Sequence, residues 1–127
     1  MSTFNTSSLE PVIGVNLPGN PVTEVCRKRL SAFQKDGFNA VELSLDSFPL
    51  IIDGEPCEPW IRYLEGLLKE YPFQYSAHIG RGLDLRDLPR IEKHRAVLRL
   101  SLDICSRLKM SPLVLHYELQ SRNQEVE

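Results

Sequence analysis

The sequence predicts an α/β fold in which short parallel strands alternate with helices. Two observations carry that expectation. Four β-prone runs begin near residues 12, 39, 73 and 112, a βαβ spacing, and each interval between them holds a segment with helical periodicity. Every connection is long enough for a right-handed crossover, so the strands are expected to be parallel. A doubly wound sheet and a (β/α) barrel both satisfy the pattern. In either, ligands bind beyond the carboxyl ends of the strands.

The first run, Pro11 to Leu17 (PVIGVNL), is β-branched and is stopped by the turn sequence PGNP. Val22, Cys26, Leu30 and Phe33 then recur at helical spacing, with Thr23 placed as an N-cap and Gly37 placed to end the helix. FNAVELSL follows as the second strand. The segment PWIRYLEGLLKEYP lies between Pro59 and Pro72 and aligns Ile61, Leu64, Leu68 and Tyr71 on one helical face. FQYSAHI reads as the third strand. Pro89 opens the longest helix, whose stripe is Ile91, Val97, Leu98, Leu102, Cys105 and Leu108. It ends near Lys109, and PLVLHY is the fourth strand. Residues 1–10 read as a flexible leader, 11–118 as the folded unit and 119–127 as a polar tail.

The 127 residues carry a formal net charge of −2, and 42% are hydrophobic, which suits one ordinary domain with a core. That balance argues against nucleic-acid binding, because such domains display a basic stripe. The arginines between Arg81 and Arg107 are interleaved with Asp84, Asp87, Glu92 and Asp103, the pattern of a solvated helix surface. No apolar run approaches a membrane span, and the N-terminus has no signal-peptide pattern. Three cysteines without a CxxC pair imply a reduced, cytoplasmic setting; Cys26 and Cys105 read as core residues, and Cys57 as a loop residue.

Chemistry-bearing residues cluster where the strands end. Asn16, Asp46, His78 and His116 stand at the four carboxyl ends, with Glu42 slightly inside. Two neutral imidazoles and a carboxylate form a ligand set for a divalent metal, and adjacent strands are close enough to share one ion. Hydrogen-bonded histidines are the alternative reading. Glu42 faces opposite to Val41 and Leu43, toward either a barrel lumen or solvent. Asp46 fits a loop-capping role equally well. His94, inside the long helix, reads as a packing or surface residue, and the GRG around Arg81 is a flexible loop of low specificity.

Taken together, DGFNAVELSLD, FQYSAHIGRGLDL and SPLVLHYE resemble segments of the xylose isomerase-like TIM-barrel superfamily, over about Pro11 to Glu118. That group includes sugar and sugar-phosphate isomerases and epimerases, inosose dehydratases and metal-dependent apurinic endonucleases. The resemblance implies four strands and three helices forming about half of a TIM barrel. It implies a carbohydrate substrate contacted by Glu42, His78 and Asn16, and a divalent metal (Mn, Mg, Co or Zn) held by His78 and His116. The implied reaction is proton transfer through an enediolate. A complete barrel needs about 250 residues, so the chain is expected to be an N-terminal portion whose later-strand catalytic residues lie elsewhere. Three alternatives stand beside that reading: a half-barrel that associates with its own copy through exposed sheet edges, a non-catalytic small-molecule-binding module, and an endonuclease-like phosphodiesterase.

Overall fold

The computed structural model describes residues 12–17, 23–80 and 83–115. The proposed leader and tail, and His116, lie outside these residues. Element order is β1 (Gly14–Leu17), α1 (Thr23–Lys35), β2 (Ala40–Ser44), β3 (Ile51–Ile52), β4 (Glu55–Pro56), α2 (Glu58–Lys69), β5 (Gln74–Ile79), α3 (Ile91–Leu108) and β6 (Met110–Leu115). Single 3-10 turns cover Leu45–Ser47 and Leu88–Arg90. The chain is therefore α/β, with a four-stranded parallel sheet in the order β1-β2-β5-β6 and three helices.

That order advances one strand at a time in one direction. Right-handed crossovers of this kind place successive helices on the same face of the sheet. Contacts between the helices agree. Arg27 of α1 pairs with Glu70 at the end of α2, and Ser31 shares a hydrogen bond with the Tyr71 hydroxyl at 2.9 Å. Arg107 of α3 donates to both carboxylate oxygens of Glu58 at 2.7 Å. The Arg107 guanidinium holds the Glu58 carboxyl below its ordinary pKa.

Burial follows the same one-sided logic. Leu17, Val41, Leu43, Ala77 and Ile79 alternate along their strands and are at most 5% exposed, packed under Leu30, Ile61, Leu64, Leu67, Leu68, Ile104 and Leu108 of the helices. Such strand residues stand on one face, because successive side chains point to opposite sides. In β6 the covered residues are Met110 and Leu113, an odd spacing. An extra residue at Ser111–Pro112, where the register against β5 shifts, reconciles it. Pro112 is accommodated there because β6 is the last strand of the described sheet.

The helix ends follow local chemistry. At the end of α1, Gly37 has φ of 89°; its N–H bonds the Gln34 carbonyl while the Phe38 N–H bonds that of Phe33. The Phe33 and Phe38 rings meet edge to face at 6.0 Å, which completes a Schellman ending with its hydrophobic contact. At the end of α3, Lys109 takes the same left-handed region, with φ of 59° and ψ of 47°. A lysine occupies this position where a glycine would bear no Cβ strain.

Three expectations need correction. The inward face of α3 is Val97, Ser101, Ile104, Cys105 and Leu108, while Leu102 is 49% exposed. Ser101 hid this face from a hydrophobicity pattern; its hydroxyl donates to the Val97 carbonyl at 2.7 Å, so burial leaves no unsatisfied proton. Tyr71 lies beyond α2, and Leu67 takes its place among the buried residues of that helix. Two short strands join the expected four: Asp53 and Gly54, both at positive φ, turn the β3–β4 hairpin. Isoleucines followed by Asp-Gly are the signature of such a two-residue turn.

Candidate functional site

The side of the sheet away from the helices is small and polar. Its rows follow directly from the parallel register: Gly14, Ala40 and Gln74; then Asn16, Glu42 and Ser76; then Ser44, His78 and Val114 toward the carboxyl ends. Neighbouring strands lie about 4.8 Å apart and residues two apart on a strand about 6.6 Å. Glu42 thus has Asn16 and Ser76 as lateral neighbours, and His78 stands one strand over and one row further on, at a Cα separation of about 8 Å.

Three of the four expected site residues, Asn16, Glu42 and His78, share this face. The first two, with Ser76, line a shallow depression of about 230 Å³ that is floored by Gly14 and Ala40. His78 lies outside the depression, one row nearer the strand ends. Ser44 and Ser76 belong to the same surface and were missed; each sits two residues from Glu42 or His78, and that period-2 offset was the signal that could have found them. Among the described residues, no group of three or more histidines, cysteines or acidic residues could hold a metal ion. The described face supplies Glu42 and His78 without a third such group, and the second proposed ligand, His116, lies outside the described residues.

Asp46 ties two strand ends together rather than capping its own turn. It sits in the 3-10 turn after β2, and its Oδ2 accepts a hydrogen bond from the Gly80 N–H at 3.3 Å, tying the ends of β2 and β5. His94 is structural in a specific way. Its Nδ1 accepts from the Asp84 N–H at 3.1 Å, which leaves Nε2 to carry the proton and donate to Asp87 Oδ2 at 3.1 Å. The imidazole therefore braces the loop between β5 and α3. The His94 hydrogen bond, with help from Arg90, holds the Asp87 carboxyl below its ordinary pKa. The arginines of this region pair locally, Arg86 with Asp84, Arg90 with Asp87 and Arg95 with Glu92, as a solvated surface requires.

The three cysteines are free thiols. Burial raises the pKa of Cys26, and that of Cys105 to about 11, so neither is a nucleophile at neutral pH. Cys57 precedes α2 and makes no side-chain capping bond. No described helix is long and apolar enough to cross a membrane. Compared with known proteins, the chain matches no protein-family model and no curated protein.

Proposed function

We propose that this sheet is about half of a (β/α) barrel and that its open face is one wall of a sugar or sugar-phosphate isomerase or epimerase site. The observation that carries the reading is the one-sided sheet. Parallel sheets are ordinarily covered on both faces, yet here one face holds Asn16, Glu42, Ser44, Ser76 and His78 in adjoining rows. A barrel lumen is the arrangement in which such a face is enclosed without helices. Amide, carboxylate, hydroxyl and imidazole groups supply the donors and acceptors that a polyol requires.

In this reading Asn16, Glu42 and His78 bind and orient the substrate. Isomerisation removes a proton from the carbon next to the carbonyl and returns it to the neighbouring carbon through an enediolate; epimerisation returns it to the opposite face of the same carbon. The groups that move the proton belong to the other half of the barrel. A divalent cation at His78 and His116 is part of the proposal, but the described residues do not complete a ligand set, so no step is assigned to it.

The second reading, self-association, rests on the edges. Both β1 and β6 end the described sheet, and Val114 is 42% exposed on its open face. A two-fold pair of sheets would bury both surfaces.

Titration of the isotopically labelled chain with a panel of aldoses, ketoses and their phosphates tests the first reading. Saturable amide shifts at Asn16, Glu42, Ser76 and His78 are expected, weakened about tenfold by Glu42→Gln, the scale of one lost charge-assisted hydrogen bond. Absence of shifts on this face with every member of the panel refutes it. Mn²⁺ should broaden resonances around His78 first; broadening centred elsewhere removes the metal assignment. Light scattering decides the second reading, which a monodisperse monomer excludes.

A further inference from the structure

Across the sheet from the polar face, the helix-covered side holds a pocket of about 300 Å³ that no group above explains. It opens beside the carboxyl ends of β2 and β5, between the Leu45–Pro56 excursion and α3. Leu45, Phe48, Ile79 and Ile104 form its walls, and each is at most 5% exposed. The hollow has the volume of a small ligand site and lies in the region where α/β sheets bind ligands.

Two polar side chains interrupt the apolar lining, Asp46 and Ser101. Ser101 is 3% exposed and uses its single proton on the Val97 carbonyl, which leaves its oxygen as an acceptor. Asp46 is exposed and also presents acceptor oxygens. No lysine, arginine or histidine lines the pocket among the described residues. An anion would therefore meet a carboxylate and find no cation there. Asp46 already accepts from the Gly80 N–H, so the buried acceptor in the lining is Ser101 Oγ.

We propose that this pocket binds a small, uncharged apolar molecule carrying one N–H or O–H group, with the donor directed at Ser101 Oγ. The site lies on the opposite face from Glu42 and His78 and is independent of the carbohydrate reading.

Indole, with one N–H, and benzofuran, its near-isostere with a ring oxygen, are the probes, titrated into the labelled full chain. Indole is expected to give saturable shifts at the Gly54, Gly80 and Ser101 amides and to bind about fivefold more tightly than benzofuran, the fold-change of one neutral hydrogen bond. Ser101→Ala should weaken indole to the benzofuran level and leave benzofuran unchanged. Val97→Trp should fill the pocket and abolish both. Should either variant fail to fold, the indole and benzofuran comparison on the unaltered chain decides by itself. Equal affinities, or no saturable shift at these amides because another part of the chain occupies the pocket, overturn the proposal. So do shifts confined to Asn16, Glu42 and Ser76, an outcome that leaves the carbohydrate reading standing.

Discussion

Along β2, Val41 and Leu43 are 1% and 0% exposed, whereas Ala40, Glu42 and Ser44, which alternate with them, are only partly buried. The same contrast repeats in β5, where the buried Ala77 and Ile79 alternate with the half-buried Ser76 and His78. The covered face is held by helix packing, so its side chains carry stability. The open face contributes little burial, and its polar rows are free to be chosen for binding. Stability is thereby concentrated on one set of alternating residues, and the other set is the one the proposed site uses.

The sharpest test of that division is a pair of adjacent substitutions. Leu43→Ala should cost about 2–5 kcal/mol in urea unfolding, because it leaves a cavity among fully buried neighbours. Glu42→Gln, one residue away, should stay within about 0.5 kcal/mol of the parent. A large loss from Glu42→Gln would show that the open face is structural, and the contrast would break.

The loop above β5 lies between the two extremes. His94→Ala should destabilise the chain by about 1–2 kcal/mol through two lost hydrogen bonds, and amide exchange at Asp84 should accelerate. Acid sharpens the same point. The folded-state pKa of Asp87 is lowered by His94, so its stabilisation is present above the unfolded carboxyl value, near 3.9, and is lost as pH falls through the lower folded value. Asp87→Asn should flatten stability against pH below about 4; an unchanged slope would remove the His94 brace.

On the helix side, Lys109→Gly is expected to raise stability by about 0.5–1 kcal/mol, since the left-handed backbone at this position strains any residue with a Cβ. Thermal unfolding measures it, and a loss would mean that the lysine side chain contributes more than its backbone strain costs. Smallest of all, Ser76→Ala on the open face should leave stability unchanged within about 0.5 kcal/mol. Its readout is the carbohydrate titration.

Much of the architecture was legible because each strand and helix follows its own period. The valine- and leucine-rich runs and the Gly37 stop needed no knowledge of the rest of the chain. The face of α3 was misjudged because Ser101, Ile104 and Leu108 point inward as a set, and a buried serine satisfied by its own helix looks like a surface residue in a hydropathy pattern. The hairpin was overlooked although Asp53-Gly54 announced it. Of the candidate site, Glu42 and His78 could be singled out as residues, but their row neighbours Ser44 and Ser76 emerge only from the register between strands. His94 reads from sequence as a packing or surface residue and Asp46 as either a site or a loop residue, and both brace loops.

The sequence by itself determined the alternation of strands and helices, most of the apolar residues that the strands bury and the parity that separates Glu42 from Val41 and Leu43. Those features depend on local periodicity and turn chemistry, which act within a few residues. Tertiary structure alone decided that the strands stand in the order β1-β2-β5-β6, that Asn16, Glu42 and Ser76 become lateral neighbours, and that a pocket opens between the hairpin and α3. Strand order, register and the seating of α3 are fixed by packing between segments far apart in the chain, and no local pattern records the energy of that packing.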